Sequence, residues 1–279
     1  MLVFKDPQKL QRWALKQREA GVRIGLVPTM GYLHEGHLSL ITAAKKYADA
    51  VVVSVFVNPI QFGPNEDYEK YPRDEKADLA KCKSAGAAAV FLPTPQTMYA
   101  PDASVHVTEE VLANRLCGLR RPGHFRGVCT VVAKLFNLAQ PQVAVFGQKD
   151  FQQACVIRRM VRDLNFPIRI VVAPIVREPD GLARSSRNTY LSEEERCRAV
   201  GLSQSLCLAK RLFREGQTSA KRIVSNMTKS LEKDGLQVDY VEIVDAETLD
   251  PVKTVQKGNA VLLAVYDGKT RLIDNCLIS

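Results

Sequence analysis

The chain has 279 residues, 46% of them hydrophobic and 25% charged, with a formal net charge of +9. That composition fits a globular chain able to bury one large or two modest cores, and excludes a low-complexity or collagen-like one. The Lys and Arg residues are spread without a block of five or six like charges, so the basic balance fits anionic small substrates and does not by itself call for nucleic acid.

The first residues, MLVFKDPQKLQRWALKQ, read as a strand and then an amphipathic helix with no signal-peptide h-region. The most apolar stretch, residues 50–57, is too short to span a bilayer. A cytoplasmic location without a membrane partner is therefore expected. Cys82, Cys117, Cys129, Cys155, Cys197, Cys207 and Cys276 form no C-x-x-C pair and no Cys/His cluster, so they read as small buried side chains in a reducing compartment.

Short β-branched runs at 22–27, 51–57, 88–92, 143–146 and 168–172 are bounded by Gly, Pro or Asn. Near-continuous apolar strands of this kind suit a parallel sheet buried on both faces. Between them, 38–47, 74–84, 128–138 and 151–164 carry apolar residues at helical spacing. The alternation predicts an α/β fold with a doubly wound parallel sheet, whose ligands sit beyond the carboxyl ends of the strands.

After Val176 the texture changes. A polar loop, REPDGLARSSRN, precedes Ser192, which stands three residues before Glu195 as a capping-box signature. Helical patterns at 193–215 and 219–233 are followed by strand-like runs at 238–244, 260–265 and 271–277. This predicts a smaller C-terminal α+β domain over 176–279 after a first domain over 1–175.

The run PTMGYLHEGH carries the chain from the second predicted strand into a helix. Free N–H groups and the positive end of the helix dipole favour anions at such a point, and Gly31 and Gly36 allow close approach. His34 and His37, three residues apart, would project on one side of a helical turn and donate to phosphate oxygens. A structural cap is plausible for His34 alone but not for both histidines. A metalloprotease helix needs H-E-x-x-H, and this is H-E-G-H.

Gly147, Gln148, Lys149 and Asp150 form a second strand-to-helix turn, where a lysine can reach phosphates as a mobile point charge. Asp150 also reads as an N-cap, and Gln153 could face the same crevice. Arg184, Ser185, Ser186 and Arg187 make a donor-rich loop suited to closing over a triphosphate, or a basic linker. Asn58 and Gln61 in NPIQFG are amides able to hold a polar substrate. RRPGHFRG reads as an anion clamp or an exposed basic turn.

In order and spacing, PTMGYLHEGH, FVNPIQFGPNEDYEKYPR, RPGHFRGV, FGQKDFQQ and DGLARSSRN resemble the pantoate–β-alanine ligase (pantothenate synthetase) family over essentially the whole chain. That family has a Rossmann-like core with HIGH-type and KMSKS-type motifs, which His34–His37 and Arg184–Arg187 resemble. The resemblance implies that ATP and Mg²⁺ convert pantoate to pantoyl adenylate and pyrophosphate, and that β-alanine then gives pantothenate and AMP.

By matching positions it implies ATP contacts from Met30, Gly31, Tyr32, Leu33, His34, Glu35, Gly36 and His37, from Gly147, Gln148, Lys149 and Asp150, and from Val176, Arg184, Ser185, Ser186 and Arg187. Gln61 and Gln153 would hold pantoate, with Asn58 nearby. His37 would be the proton donor, with His34 and Lys149 stabilising the phosphates, and a homodimer is implied. Arg184 stands where family members often carry Met. Asp78 matches a carboxylate placed near the metal, but Ala77 and Lys81 replace polar neighbours, so no protein metal ligand is assigned. Another small nucleotidyltransferase of the superfamily and a basic RNA-binding module are the alternatives.

Overall fold

The computed structural model describes residues 1–64 and 66–279; Asn65, inside the FVNPIQFGPNEDYEKYPR run, lies outside the described residues. In chain order the elements are β1 (Leu2–Phe4), α1 (Pro7–Glu19), β2 (Ile24–Thr29), α2 (Glu35–Ala44), β3 (Ala50–Val55), α3 (Glu75–Ser84), β4 (Ala89–Phe91), α4 (Pro95–Met98), α5 (Leu116–Arg120), α6 (His124–Ala139), β5 (Val143–Gly147), α7 (Phe151–Asp163) and β6 (Arg169–Ala173). They continue with α8 (Glu193–Arg198), α9 (Gly201–Arg214), α10 (Ala220–Lys233), β7 (Gln237–Val244), β8 (Ala260–Asp267) and β9 (Thr270–Leu277).

The chain divides into two compact units. The first comprises Met1–Asn114, Gly118–Gly147 and Gln153–Pro174; the second comprises Arg115–Cys117, Gln148–Gln152 and Ile175–Ser279. A single cut at 175/176 would leave the two short segments out of the second unit.

In the first unit, all strands run parallel in the order β1-β4-β3-β2-β5-β6. The doubly wound reading holds because β2, β3 and β5 are almost wholly apolar and buried, as strands covered by helices on both faces must be. Val27, Leu33, Ile41, Val53, Cys82 and Val145 belong to one core cluster. β2 pairs with β3 from Ile24 to Thr29, but with β5 only at Gly25 and Leu26. Pro28, with no N–H for a ladder, falls where β2 has parted from β5. The sheet order reverses direction at this pair, so the opening at their carboxyl ends is where such a fold places ligands.

In the second unit, β7-β8-β9 form an antiparallel sheet. Leu202, Leu206, Ile223, Met227, Leu263 and Val265 meet in its core. The single helix expected over 193–215 is two. Around the break, the N–H groups of Val200 and Leu202 reach back three residues, to Cys197 and Ala199. Gly201 permits the passage: a Cβ there would lie 2.8 Å from Asp234 Oδ2. Cys197 and Cys207, expected inside, are exposed, because α8 and α9 turn other faces to the core; the remaining cysteines are buried and unbridged.

Candidate active site

The turn after β2 is built around conformations that few residues adopt. Gly31 has φ +87° and Tyr32 φ 51°, both left-handed, the second costly for a residue with a Cβ. Thr29 Oγ1 donates to Ser54 O at 2.7 Å and accepts from Gly31 N at 3.2 Å. Asp78, on α3 and 2% exposed, accepts Tyr32 N–H at 2.8 Å and Leu33 N–H at 2.7 Å, one on each carboxylate oxygen. Lys81 Nζ donates to Leu33 O at 2.6 Å. Burial pushes the Asp78 carboxyl above its ordinary value, while the N–H groups of Leu33 and Tyr32 pull it back.

The histidines then cap α2 reciprocally. His34 is the N-cap, with φ −133° and ψ 178°, and its Nδ1 accepts from Gly36 N at 3.1 Å. His37 Nδ1 accepts from His34 N at 3.3 Å. The ring centroids lie 4.1 Å apart. An Nδ1 that accepts cannot carry the proton, so in both rings the proton sits on Nε2.

Two expectations are thereby corrected. Both histidines are caps, not His34 alone, because the capping box needs two partners three residues apart. Nor does the turn offer a row of free N–H groups. Those of Gly31, Tyr32, Leu33, His34 and Gly36 are committed within the protein, so an anion here must be met chiefly by side chains. Glu35 opens α2 behind His34.

Met30 joins this turn to the amide site. Its sulfur accepts from Gln61 Nε2 at 3.1 Å. Gln61 Oε1 in turn accepts from Asn58 Nδ2 at 3.0 Å, and that same nitrogen donates to Gly127 O at 3.2 Å. Tyr99 donates its hydroxyl to Asn58 Oδ1 at 2.7 Å, and burial holds this phenol well above its ordinary range. Asn58 is 1% and Gln61 8% exposed, so each amide sits where an unmet donor or acceptor is costly. The segment approaches α6 this closely only because residue 127 is glycine: a Cβ there would fall 2.3 Å from Ile60 O.

In RRPGHFRG, Arg120, Pro122, Gly123 and Arg126 are exposed, while Arg121 is turned to a carboxylate of the protein itself. Arg121 donates to both oxygens of Glu66, at 2.7 and 2.6 Å. Its Nη1 lies 3.0 Å from His124 Nε2, and His124 Nδ1 lies 2.8 Å from Gln61 O. A carbonyl only accepts, so His124 carries its proton on Nδ1 and receives Arg121 on Nε2. The motif thus braces the main chain at Gln61. Gln153 lies half-buried on α7.

In the second unit, Gln148–Asp150 form a short 3₁₀ turn after Gly147 closes β5. Asn275, on β9, holds this turn: its Nδ2 donates to Gln148 O and Lys149 O at 2.9 Å each. Gln148 Nε2 returns a bond to Asn275 Oδ1 at 3.3 Å. Lys149 Nζ is 3.8 Å from Asp150 Oδ1.

The loop before α8 is closed by an antiparallel bridge between Arg177 and Ala183, and Arg184 N donates to Val176 O at 2.9 Å. Ser185 caps a 3₁₀ turn over Ser186–Tyr190 by accepting Arg187 N–H at 3.3 Å. Asn188 Nδ2 ties the loop to Ala183 O and Glu178 Oε1. Arg177 pairs with both oxygens of Asp274, whose side chain is 1% exposed.

Sequence reading did not single out Tyr99 or Asn275, and it noted Lys81 only as a replacement beside Asp78, without the bond it makes to Leu33 O. The only available signal was a polar residue inside an apolar run, as at Asn275 in the 271–277 strand. Among the described residues no group of three or more His, Cys, Asp or Glu is placed to hold an ion, and both oxygens of Asp78 are taken by main-chain N–H groups.

With this geometry in hand, a family model described as Pantoate-beta-alanine ligase matches residues 2–277. A pantothenate synthetase of Thermotoga petrophila is 52% identical over 279 residues, covering all of both chains. The crystal structure of pantothenate synthetase from Thermus thermophilus superimposes with a TM-score of 0.93 at 42% identity, covering 100% of this chain and 99% of that one. A pantoate-beta-alanine ligase from Francisella tularensis, complexed with beta-gamma ATP and beta-alanine, superimposes with a TM-score of 0.83 at 32% identity, covering 99% and 97%.

Proposed function

The chain belongs to the pantoate-beta-alanine ligase family, and from that premise we propose how its residues carry out the ATP-dependent joining of pantoate to β-alanine. It is a ligase of pantothenate biosynthesis that forms an amide bond. In the proposed sequence, a pantoate carboxylate oxygen attacks the α-phosphorus of ATP, the bond to the β-phosphate oxygen breaks, and pyrophosphate leaves. The β-alanine amine then attacks the pantoyl carbonyl carbon, loses a proton, and displaces AMP.

The contact between Gln61 and Met30 carries the site assignment, since it places the amide pair beside the histidine turn. In our reading Gln61 and Gln153 bind pantoate, and Asn58 orients Gln61. Met30 to His37, Gly147 to Asp150, Val176 and Arg184 to Arg187 bind ATP. His34 and His37, each with its proton on Nε2, donate hydrogen bonds to phosphate oxygens. In that state His37 serves as a fixed donor to growing charge, which costs no reorganisation during the reaction. Lys149 adds a point charge, and Arg184–Arg187 act as the closing loop.

Mg²⁺ would arrive on the ATP phosphates, where this ion commonly keeps its waters and needs few protein ligands. A homodimer, a cytoplasmic setting and the absence of a nucleic-acid partner belong to the same proposal. Among the described residues no helix is long and apolar enough to cross a membrane. The family match selects pantoate–β-alanine ligase over another nucleotidyltransferase of the superfamily.

The test is pyrophosphate release with ATP, Mg²⁺ and pantoate, with and without β-alanine. We expect about one pyrophosphate per site without β-alanine and continuous turnover with it; release independent of pantoate would overturn the reading. His37→Ala should lose most turnover while remaining folded, and wild-type rates would remove that histidine from the chemistry.

A further inference from the structure

The histidine pair sits at the end of a turn that its own sequence does not favour. Tyr32 holds a left-handed φ of 51° directly after Gly31 at +87°. A non-glycine residue keeps such a conformation only where the surroundings over-determine it. Here the restraint comes from α3, a distant helix in the chain.

Asp78 and Lys81 stand three apart on that helix and therefore face the same way. Asp78 takes the N–H groups of Tyr32 and Leu33, and Lys81 takes the carbonyl of Leu33. The peptide groups on both sides of Leu33 are thus gripped, while the Leu33 side chain is 1% exposed. The fit is tight as well: a Cβ on Gly31 would lie 3.0 Å from Asp78 Oδ2 and 2.9 Å from Val55 Cγ1. The next residue is His34, the N-cap whose Nδ1 bond fixes the direction of its ring.

We propose that Asp78 and Lys81 are positioning residues for adenylate formation, clamping the Tyr32–Leu33 turn so that the Nε2–H groups of His34 and His37 point at the ATP phosphates. The inference rests on the reading that these histidines meet phosphate. It gives Asp78 a role different from metal ligation. Each of its oxygens is aimed at a main-chain N–H, and a carboxylate spent in that way holds backbone in place. Lys81 completes the grip from the other side, with a charge-assisted bond of 2.6 Å to a neutral carbonyl.

A misplacement of about 1 Å in a group that meets the transition state can cost on the order of 100-fold in rate. Asp78→Asn retains size but turns an N–H₂ toward one of two N–H donors, so one of its bonds must break. We expect adenylate formation, measured as pantoate-dependent pyrophosphate release, to slow on the order of 10- to 100-fold. The attack of β-alanine on supplied pantoyl adenylate should change by less than about threefold, because the β- and γ-phosphates, where charge grows in the first step, have already left as pyrophosphate and only the α-phosphate remains. Lys81→Met, which keeps the aliphatic stem, should slow the same half-reaction by a smaller factor and leave the melting temperature close to wild type. Lys81→Arg should restore it.

A double-mutant cycle with His34→Ala supplies the decisive comparison. If the clamp acts through the histidine turn, Asp78→Asn or Lys81→Met added to His34→Ala should cost little more. Fully additive losses, or equal losses in both half-reactions, would overturn the proposal. So would wild-type adenylation in both clamp variants while the histidine variants fail. Wild-type adenylation in His34→Ala and His37→Ala would instead sink the reading of the histidines themselves. Should Asp78→Asn not fold, the Lys81 variants and their cycle carry the same test.

Discussion

The side-chain amide of Asn275 donates to the main-chain carbonyls of both Gln148 and Lys149, so a strand near the end of the chain fixes a turn some 126 residues earlier. Replacing this donor with leucine leaves two carbonyls unmet; replacing it with aspartate sets negative charge against them. Asn275→Leu should cost about 1–3 kcal/mol of stability. Asn275→Asp should cost more, and both should slow pyrophosphate release by displacing Lys149. Thermal melts and single-turnover rates measure the two effects, and a variant that melts early yet reacts at the wild-type rate would show that Lys149 needs no such support.

Gly127 tests the amide site from behind. A methyl at this position meets the main chain at Ile60 and Gln61, which cannot swing aside as a side chain could. Gly127→Ala should lose about 1–3 kcal/mol through overpacking. It should also raise KM for pantoate several-fold, by about an order of magnitude at most, with little change in KM for ATP. Equal changes in both would place Gln61 outside the pantoate site.

Glu66 and Arg121 give a pH signature. Burial works to raise the Glu66 carboxyl, but the hydrogen bonds and charge of Arg121 outweigh it and leave the group below its ordinary value of 4.5. A carboxyl lowered by folding stabilises the protein fully above its unfolded value and loses that contribution as pH falls through the lower folded one. The stability gap between wild type and Glu66→Gln should therefore be widest near neutrality and close progressively below pH 4.5. Urea denaturation from pH 7 downward would measure it; a gap that widens in acid would contradict the sign.

Arg177 and Asp274 form a pair that is expensive to break from one side. The Asp274 side chain is 1% exposed, against 31% for Arg177. Arg177→Met strands a buried carboxylate and should cost about 3–5 kcal/mol, whereas Arg177→Met with Asp274→Leu should recover a substantial part of it. Denaturant midpoints of the wild type, the single variant and the double variant decide the matter, and a double variant less stable than the single one would exclude this account.

The order of most elements and the family of the chain were legible in the sequence. Apolar runs and helical spacing located the parallel strands to within a few residues, because burial on both faces requires continuous hydrophobic sequence. The motif runs identified the family for the same local reason: they are short stretches whose order and spacing are visible in the chain. The break at Val200 was not visible, because helical spacing runs on through it and the bonds that tighten the chain there, Val200 N–H to Cys197 O and Leu202 N–H to Ala199 O, are main-chain ones that no side-chain pattern marks.

What the sequence determined was which residue types stand at the carboxyl ends of the strands, including the two histidines of PTMGYLHEGH. Tertiary structure decided what those residues have left to offer. The turn's N–H groups pass to Asp78, to Thr29 and to the histidines themselves, which fixes both rings with their protons on Nε2. Asp78 contacts Leu33 across 45 residues and Asn275 contacts Lys149 across 126, separations that no local pattern encodes. A hydrogen-bonding group has few bonds to give, and only the folded chain determines which are already taken.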